Sequence, residues 1–291
     1  MTTIKEYMAP RTVQEAARML AAGNATILAG GTDILPRWSK GLIDKPQVLI
    51  SLKAVEDLRG ISRDNGEVRV GACTLLSEIA SDSTIVAAAA VLAHATGRIA
   101  CAQVRNRATI GGNLCNASPA ADTAIPLILL DAMVDLASAG RDGMRVREVP
   151  VTEFFCGPGS TVLAPGEILT HIRFKPLPDG VFAAWDKFGT RHAMEIAVAS
   201  VGVALKIEAG AVVHARVGYG SVAPVPLRGR RVEAELIGNP LSAEVIGKCE
   251  AAARTEIAPI TDMRASEAYR REVVAVILRR MLEGAERTRK S

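Results

Sequence analysis

The sequence is poor in aromatic residues and lacks the cysteine spacings typical of metal sites. Phenylalanine, tyrosine and tryptophan make up 3% of the 291 residues, whereas hydrophobic residues as a whole make up 49%. The core is therefore predicted to be aliphatic. The five cysteines form no C-x-x-C and no C-x-x-H pair, which argues against a zinc site or an iron–sulfur cluster held by this chain alone. Their odd number argues against a disulfide framework, and buried thiols are expected instead.

Long apolar runs are also missing. The longest, residues 84–95 and 124–130, are too short to cross a bilayer. The first ten residues have no apolar core and no small-residue cleavage pattern, so no signal peptide is predicted and a cytoplasmic location is expected. The net charge of +4 is too small to indicate nucleic-acid binding, and the arginine clusters lack the interleaved aromatic residues that such binding favours.

Several catalytic motifs are absent from the sequence. It contains no G-x-x-x-x-G-K-[ST], no H-E-x-x-H and no G-x-S-x-G, so phosphate-loop, metalloprotease and serine-hydrolase chemistry have no support. A nominal G-x-G-x-x-A at 218–223 is followed by Pro224 and Pro226, which prevent the helix that a Rossmann pyrophosphate needs. The histidines have no suitably spaced partner; they are His94, His171, His192 and His214.

What the sequence does contain is two pairs of adjacent glycines. The second pair lies in the stretch Thr109–Asp122, which reads TIGGNLCNASPAAD. Glycine lets the backbone approach a ligand closely and allows positive φ, so successive amides there are predicted to form an anion-binding nest. Ser118 as N-cap and Pro119 at the first helical position predict that a helix starts there. A plain glycine turn before a helix is the alternative.

The first pair, Gly30 and Gly31, ends a short apolar strand and precedes Thr32 and Asp33. Two such nests, converging from different parts of the chain, could hold a pyrophosphate between them with its charge met by backbone amides. Asp33 and Asp122 would suit contacts to ribose hydroxyls or an adenine amino group, because carboxylates accept hydrogen bonds. The residues thus indicate a dinucleotide cofactor bound outside the Rossmann pattern.

Local patterns predict an alternation of helices and strands. A capping box formed by Thr12 and Glu15 opens a helix that ends at Gly23. A linker is predicted at 175–180, which contains two prolines and a glycine. An antiparallel hairpin with one buried face is predicted across the turn at 208–210. Further strands are predicted at 25–29, 48–51, 67–72, 145–149 and 169–174, and further helices at 84–96, 242–253 and 266–287.

A series of motifs in order along nearly the whole chain resembles a known family. That family is the FAD-binding medium subunit of the molybdenum hydroxylases, the enzymes of xanthine dehydrogenase and carbon monoxide dehydrogenase type. The motifs that carry the resemblance are Ile27–Ile34, Gln103–Asp122, Phe155–Gly159, Pro165–Leu169, Lys187–Arg191, Ala223–Pro226 and Asp262–Arg271.

The resemblance implies an α+β fold in two domains. Residues 1–175 would form a vanillyl-alcohol-oxidase/PCMH-type FAD-binding domain, with α/β subdomains at about 1–52 and 53–175. Residues 178–291 would form a C-terminal domain of antiparallel sheet and helices, of the carbon monoxide dehydrogenase flavoprotein type. These divisions agree with changes in sequence texture near Leu52 and Lys175.

The resemblance also implies that FAD binds to this chain. Asp122 would reach the adenosine side, and Ile99 stands where the family packs a bulky apolar group at the flavin. Ile168, Leu169 and Lys187 would flank the isoalloxazine ring, although Lys187 could instead be a solvated strand residue. The pyrophosphate would be wrapped by two segments, and the cofactor-binding residues implied there are Ile27, Leu28, Ala29, Gly30, Gly31, Thr32, Asp33, Ile34, Thr109, Gly111, Gly112, Asn113 and Asn116.

The function implied is that of an electron-transfer flavoprotein subunit. A large partner chain would carry the molybdenum cofactor, a small partner would carry [2Fe–2S] clusters, and FAD would pass electrons to NAD, O₂ or another acceptor. No catalytic acid or base and no metal ligand is assigned to this chain. It has no cysteine-rich insert like that of the hydroxybenzoyl-CoA reductases, and Ile99 replaces the aromatic residue of larger relatives.

Two alternatives remain at this point. A stand-alone flavin-dependent oxidase or reductase on the same fold would need its own acid or base over the flavin N5, and the sequence offers no candidate. A scaffold that has lost FAD would not need both glycine pairs, and both are intact.

Overall fold

Three β-sheets organise the chain in sequence order. The computed structural model describes residues 4–141, 143–191 and 194–290; His192, one of the four histidines considered above, lies outside them. Each sheet has its own hydrophobic cluster, and the clusters are mostly aliphatic, as the composition predicts. None of the helices in these ranges combines the length and the apolar composition that a membrane span requires.

The first sheet is parallel and has the strand order β1-β3-β2. Thr12 caps the first helix, since its hydroxyl accepts from the Glu15 amide at 3.1 Å. The Glu15 carboxylate accepts from the Arg11 amide rather than from that of Thr12, so the capping box is shifted by one residue. The elements of this part are β1 (Glu6–Met8), α1 (Val13–Ala21), β2 (Ala25–Leu28), α2 (Ile34–Ser39) and β3 (Val48–Ser51), followed by 3₁₀ turns at Leu52–Ala54 and Glu56–Leu58.

The second sheet is antiparallel, with the strand order β4-β5-β10-β6-β7. Its strands are β4 (Ile61–Asp64), β5 (Glu67–Gly71), β6 (Met133–Gly140), β7 (Gly143–Pro150) and β10 (Ile168–Phe174), and β8 (Phe155–Gly157) pairs with β9 (Ser160–Thr161) in a separate hairpin. The helices are α3 (Leu76–Ser81), α4 (Ser83–Gly97), α5 (Ala102–Arg105), α6 (Ile110–Cys115), α7 (Ala124–Leu129) and α8 (Val151–Phe154). The strands predicted at 67–72, 145–149 and 169–174 are confirmed.

The third sheet is antiparallel, with the strand order β11-β12-β13-β14. The predicted hairpin is confirmed as β12 and β13, and its turn contains Ala209 and Gly210 with φ of 49° and 85°. The predicted helices near the C-terminal end are confirmed as α10 and α11. The elements are β11 (Val181–Phe188), β12 (Ala199–Glu208), β13 (Ala211–Gly220), β14 (Leu227–Arg228), α9 (Arg230–Leu236), α10 (Ala243–Glu256) and α11 (Glu267–Lys290).

The prediction that this hairpin has only one buried face is wrong. Residues 199–205 of β12 are buried at every position, because α11 packs against the hairpin together with α9, and α7 packs against it as well. Glycines in the hairpin allow α7 to approach closely. A Cβ on Gly202 would lie 2.8 Å from Cγ2 of Ile125, and one on Gly218 would lie 3.0 Å from the same atom.

The helix predicted to start at Ser118 does not form. Thr109 is an N-cap instead, and α6 begins at Ile110, so Gly111 and Gly112 lie in its first turn. The Ser118 hydroxyl accepts from the Ala120 amide at 3.2 Å rather than from an amide of a helical turn, and the next helix begins at Ala124. A tertiary contact explains the difference, since the Pro119 carbonyl accepts from the Ser221 amide at 2.8 Å and holds this segment in a turn.

Candidate cofactor site

The two glycine pairs lie against each other. Gly30 follows β2, and a Cβ placed on it would lie 2.1 Å from the Arg107 carbonyl oxygen and 3.0 Å from the Ala108 Cα. Only glycine permits this approach. The loop after β2 therefore packs directly against the chain that enters α6, which brings together the two stretches that the sequence singled out.

The amides of the second pair are already engaged within the protein. Ile110 donates to the Thr74 carbonyl at 3.2 Å, and Gly111 donates to the Ala72 carbonyl at 2.8 Å. Gly112 donates to the Thr109 hydroxyl at 3.1 Å. The Asn113 amide completes the first helical turn with Thr109. The prediction that these amides form a nest for pyrophosphate is therefore wrong. Gly111 is explained by packing, since its Cβ would meet the Ala72 carbonyl oxygen at 2.7 Å.

The amides of the first pair, by contrast, are not engaged within the described part of the protein. The amides of Gly30, Gly31, Thr32 and Asp33 donate to no acceptor in residues 4–141, 143–191 and 194–290. Gly31 has φ of 75°, the left-handed conformation that turns successive amides toward one point. Unpaired backbone donors are costly unless water or a ligand satisfies them. This loop therefore fits an anion. Of the two glycine pairs, the first is the one whose amides have no acceptor within the described residues and could donate to a ligand.

A wall of contacting residues links α6, whose entry packs against this loop, to a buried ion pair. The Thr123 hydroxyl donates to the Asn113 side chain at 2.6 Å, which joins α6 to the turn that carries Asp122. The Lys187 ammonium then donates to Oδ2 of Asp122 at 2.7 Å and to the Arg98 carbonyl at 3.1 Å. The wall thus combines residues of α6, the turn before α7, β11 and the end of α4.

The ion pair is almost completely shielded from solvent. Lys187 is 5% exposed and Asp122 is 7% exposed, so the alternative of a solvated strand lysine is wrong. Burial raises the pKa of Asp122 above its usual range, and the Lys187 charge offsets part of that rise. The second carboxylate oxygen of Asp122, Oδ1, is buried and has no hydrogen-bond partner among the described residues. A buried acceptor without a donor points to a ligand that supplies one.

The contact between Asp122 and Lys187 contradicts their assignment to separate ends of a cofactor. In an extended dinucleotide the adenine and the flavin lie at opposite ends, whereas these two side chains are 2.7 Å apart. The sequence motifs could not reveal this contact, because the two residues are 65 positions apart. Asp122 lies in the turn before α7, whereas Lys187 lies on β11. The two side chains therefore cannot stand at opposite ends of one extended cofactor.

Ile168 and Leu169, which the resemblance places beside the flavin ring, have buried side chains. Each is 3% exposed, and they belong to two different hydrophobic clusters at the start of β10. That both residues flank the ring remains a prediction. Ile99 is partly buried at the edge of the second cluster and directly follows Arg98, so it remains beside the ion pair.

The other implied residues occupy more exposed positions around the wall. Asp33 is exposed, and its carboxylate lies 3.5 Å from the Arg37 guanidinium. Asn116 is partly buried in the turn after α6. The remaining members of the first segment are all partly buried around the loop that carries the available amides, and they are Ile27, Leu28, Ala29 and Ile34.

Trp185 is a part of the site that the motifs did not reveal. It is 3% exposed and lies on β11 two residues before Lys187, so both side chains point to the same face of the strand. The Lys187 Nζ lies 5.9 Å from its ring centroid and the Arg98 guanidinium carbon 5.6 Å from it. The sequence signal that could have revealed it is the position of a tryptophan two residues before Lys187, in a chain with few aromatic residues.

Comparison with known proteins identifies the family. Residues 2–177 match the family model described as the FAD binding domain in molybdopterin dehydrogenase. Residues 185–285 match the model described as the CO dehydrogenase flavoprotein C-terminal domain. The chain belongs to the FAD-binding medium subunits of the molybdenum hydroxylases.

Individual relatives agree with this assignment over almost the full length. The medium subunit is 32% identical to the glyceraldehyde dehydrogenase medium chain of Sulfolobus acidocaldarius, over 93% of this chain and 94% of that one. It is 30% identical to the xanthine dehydrogenase FAD-binding subunit of Escherichia coli O157:H7, over 98% and 97%. Carbon monoxide dehydrogenase from Hydrogenophaga pseudoflava superimposes with a TM-score of 0.91 at 31% identity, covering 98% of each chain.

These matches confirm the predicted α+β fold class and the type of enzyme, an oxidoreductase subunit. The residues present also fit FAD. The available amides of the loop after β2 suit a pyrophosphate, and the unpartnered Asp122 Oδ1 suits a donor group on the cofactor. The medium subunit holds no cluster of three or more metal-ligating side chains within the described ranges.

Its cysteines are not uniformly buried, contrary to the expectation from sequence. Cys73 and Cys249 are buried and Cys101 is partly buried, but Cys115 and Cys156 are exposed. Burial raises the pKa of Cys73 to about 11, so that thiol is a packing group.

Proposed function

We propose that FAD lies along the wall between the loop after β2 and the Asp122–Lys187 pair. The amides of Gly30–Asp33 would hold the pyrophosphate, and the ion pair with Ile99 would stand at the flavin end. Asp122 would accept a hydrogen bond from the cofactor through Oδ1, which is buried and unpartnered in the described part of the chain. The observation that carries this proposal is that contacts between neighbouring elements link a loop with unpaired amides to a buried carboxylate oxygen that has no donor among the described residues.

Lys187 would act electrostatically. A cation that is 5% exposed interacts strongly with nearby charge, because little water screens it. It would stabilise negative charge on a reduced ring without having to reorganise, since Asp122 and the Arg98 carbonyl already fix its position.

The proposed role of the subunit is electron transfer within a heteromeric complex. FAD bound here would accept electrons from [2Fe–2S] clusters on a small partner subunit and release them to NAD or another acceptor. A large partner subunit would carry the molybdenum cofactor at which substrate is hydroxylated, and the complex would be cytoplasmic. Relatives described as medium chains and as an FAD-binding subunit support this division of labour.

Anaerobic reduction of the purified complex tests this role. The organic substrate is added to the complex without acceptor, and the flavin absorbance is followed before and after NAD⁺ addition. We expect the flavin to bleach with substrate and to recover with NAD⁺ as NADH forms. Recovery with O₂ or a quinone but not with NAD⁺ would reject the nicotinamide acceptor. Bleaching by substrate in the isolated subunit, without its partners, would instead support a stand-alone oxidase or reductase.

A further inference from the structure

A groove of about 400 Å³ lies where α4, β11 and α11 meet. Small-molecule sites in proteins commonly enclose about 300–1,000 Å³, so the groove is large enough for a compact ligand. Its walls come from helices and a strand rather than from loops, which gives them fixed positions. No part of the proposed electron-transfer role assigns an occupant to this groove.

One side of the groove carries positive charge that is not neutralised. Arg280 on α11 lines it and forms no hydrogen bond or ion pair with any residue in the described ranges. Arg98 also lines it and is paired with Asp186. The Asp186 carboxylate is already engaged, since it also accepts from the Lys187 amide at 2.9 Å. An additional anion would therefore meet the unpaired guanidinium of Arg280.

The other side is apolar and open. Phe182, Ile277 and Met281 line the groove, and Gly284 on α11 leaves its helix face without a side chain. A Cβ on Gly284 would come no closer than 3.8 Å to Phe182, so the groove is open between this glycine and Phe182. Trp185 also lines the groove, and its buried indole N–H has no partner in the part of the chain that the structure describes.

We propose that this groove binds a small organic anion, namely a carboxylate or sulfonate attached to a flat apolar body. The planar guanidinium of Arg280 matches such an anion through paired hydrogen bonds. The apolar body would pack against Phe182 and Met281, where burial of hydrocarbon surface adds affinity. Trp185 and Arg98 belong both to this groove and to the surroundings of the Asp122–Lys187 pair, so the groove adjoins the candidate cofactor site.

Calorimetric titration of the full-length chain with 1-naphthoate tests the proposal. We expect saturable binding of one molecule per chain, with a dissociation constant below about 1 mM. Uncharged 1-naphthalenemethanol and inorganic phosphate should each bind at least about tenfold more weakly. The alcohol lacks the negative charge, and phosphate lacks the apolar body. Arg280→Gln should weaken naphthoate binding about tenfold or more, the usual size of a charge-assisted hydrogen bond.

A matched control is the neighbouring arginine. Arg279 lies on the same helix but does not line this groove, and it lies 3.5 Å from Glu250, so Arg279→Gln should leave naphthoate affinity unchanged. Gly284→Leu should fill the groove and abolish binding while the helical circular dichroism stays the same. Equal affinities in the Arg280→Gln and Arg279→Gln variants, or equal affinity for the uncharged analogue, would overturn the proposal.

The same titration is repeated on the complex purified with its partner subunits. Binding that persists there supports a small-molecule site. Loss of binding in the complex would show that a partner subunit covers the groove, and it would overturn the assignment to a small anion.

Discussion

Lys187 and Asp122 form the ion pair on which the candidate site depends. Both are nearly inaccessible to solvent, and their charged atoms lie 2.7 Å apart. A buried charge without its partner is strongly unfavourable, whereas removal of both charges is often neutral. The importance of this pair can therefore be tested by measuring the free energy of unfolding, without any cofactor.

Lys187→Met should destabilise the protein by about 3–5 kcal/mol at pH 7, because it leaves the Asp122 carboxylate buried and unpaired. Chemical unfolding in urea measures this loss. The double variant Lys187→Met with Asp122→Asn serves as control and should recover more than half of it. Equal losses in the single and the double variants would show that packing, rather than charge, explains the effect.

The same variant should show a specific pH dependence. Burial raises the pKa of Asp122, and loss of the lysine raises it further. A carboxyl whose pKa is higher in the folded than in the unfolded protein costs stability as pH rises above the unfolded value. The difference between wild type and Lys187→Met should therefore be smaller at pH 4 than at pH 7. A difference that grows as pH falls would contradict this account.

At the scale of the element, the loop after β2 is the feature that fixes the site. Gly30 packs against the backbone of Arg107 and Ala108, so this loop and the entry to α6 hold each other in place. The amides that remain available, those of Gly30–Asp33, depend on this contact for their positions.

Gly30→Ala should displace this loop, since its Cβ would lie 2.1 Å from the Arg107 carbonyl oxygen. We expect a stability loss of about 1–3 kcal/mol, typical of overpacking, and loss of FAD retention on purification. Gly247→Ala is the matched control. That glycine lies in α10 with open space around it, so the change should be stabilising by about 1 kcal/mol. Full FAD occupancy in Gly30→Ala would show that the cofactor does not use this loop.

The glycine pairs also show how far sequence reasoning reached. Both pairs could be located and their proximity anticipated, because tight backbone approach requires glycine. The different roles of the two pairs could not be predicted. The residues Gly111 and Gly112 are the same in sequence whether their amides face a ligand or donate to Ala72 and Thr109, as they do here. The helix start at Ser118 failed for a related reason, because the Pro119–Ser221 contact overrides a local capping signal.

At the scale of the whole molecule, α7 joins the second sheet to the third. Its residues Ile125 and Leu129 pack over Gly202, and the second hydrophobic cluster includes Trp185 and Ala204 from the third sheet. The division of the chain near residues 52 and 175 remains a prediction. Because they share a core, we expect the segments on either side of residue 175 to stabilise each other.

The chain should therefore unfold in one cooperative transition. Trp38 in α2 and Trp185 in β11 are both buried and lie on either side of the proposed boundary. The single-tryptophan variants Trp185→Phe and Trp38→Phe report on each side separately. In each variant, the fluorescence and circular dichroism transitions in urea should coincide. A fluorescence midpoint that departs from the circular dichroism midpoint within either variant would show two separate folding units.

The affinity of the full-length chain for FAD is the measurement that tests the central claim most directly. Titration by flavin fluorescence should show one FAD per chain, and the charge-neutral double variant at Asp122 and Lys187 should weaken binding at least about tenfold, equivalent to about 1.4 kcal/mol. ADP, which lacks the flavin, should lose affinity by a much smaller factor in that variant than FAD does. A chain that binds no FAD, or a double variant that binds it as tightly as wild type, would contradict the site described here.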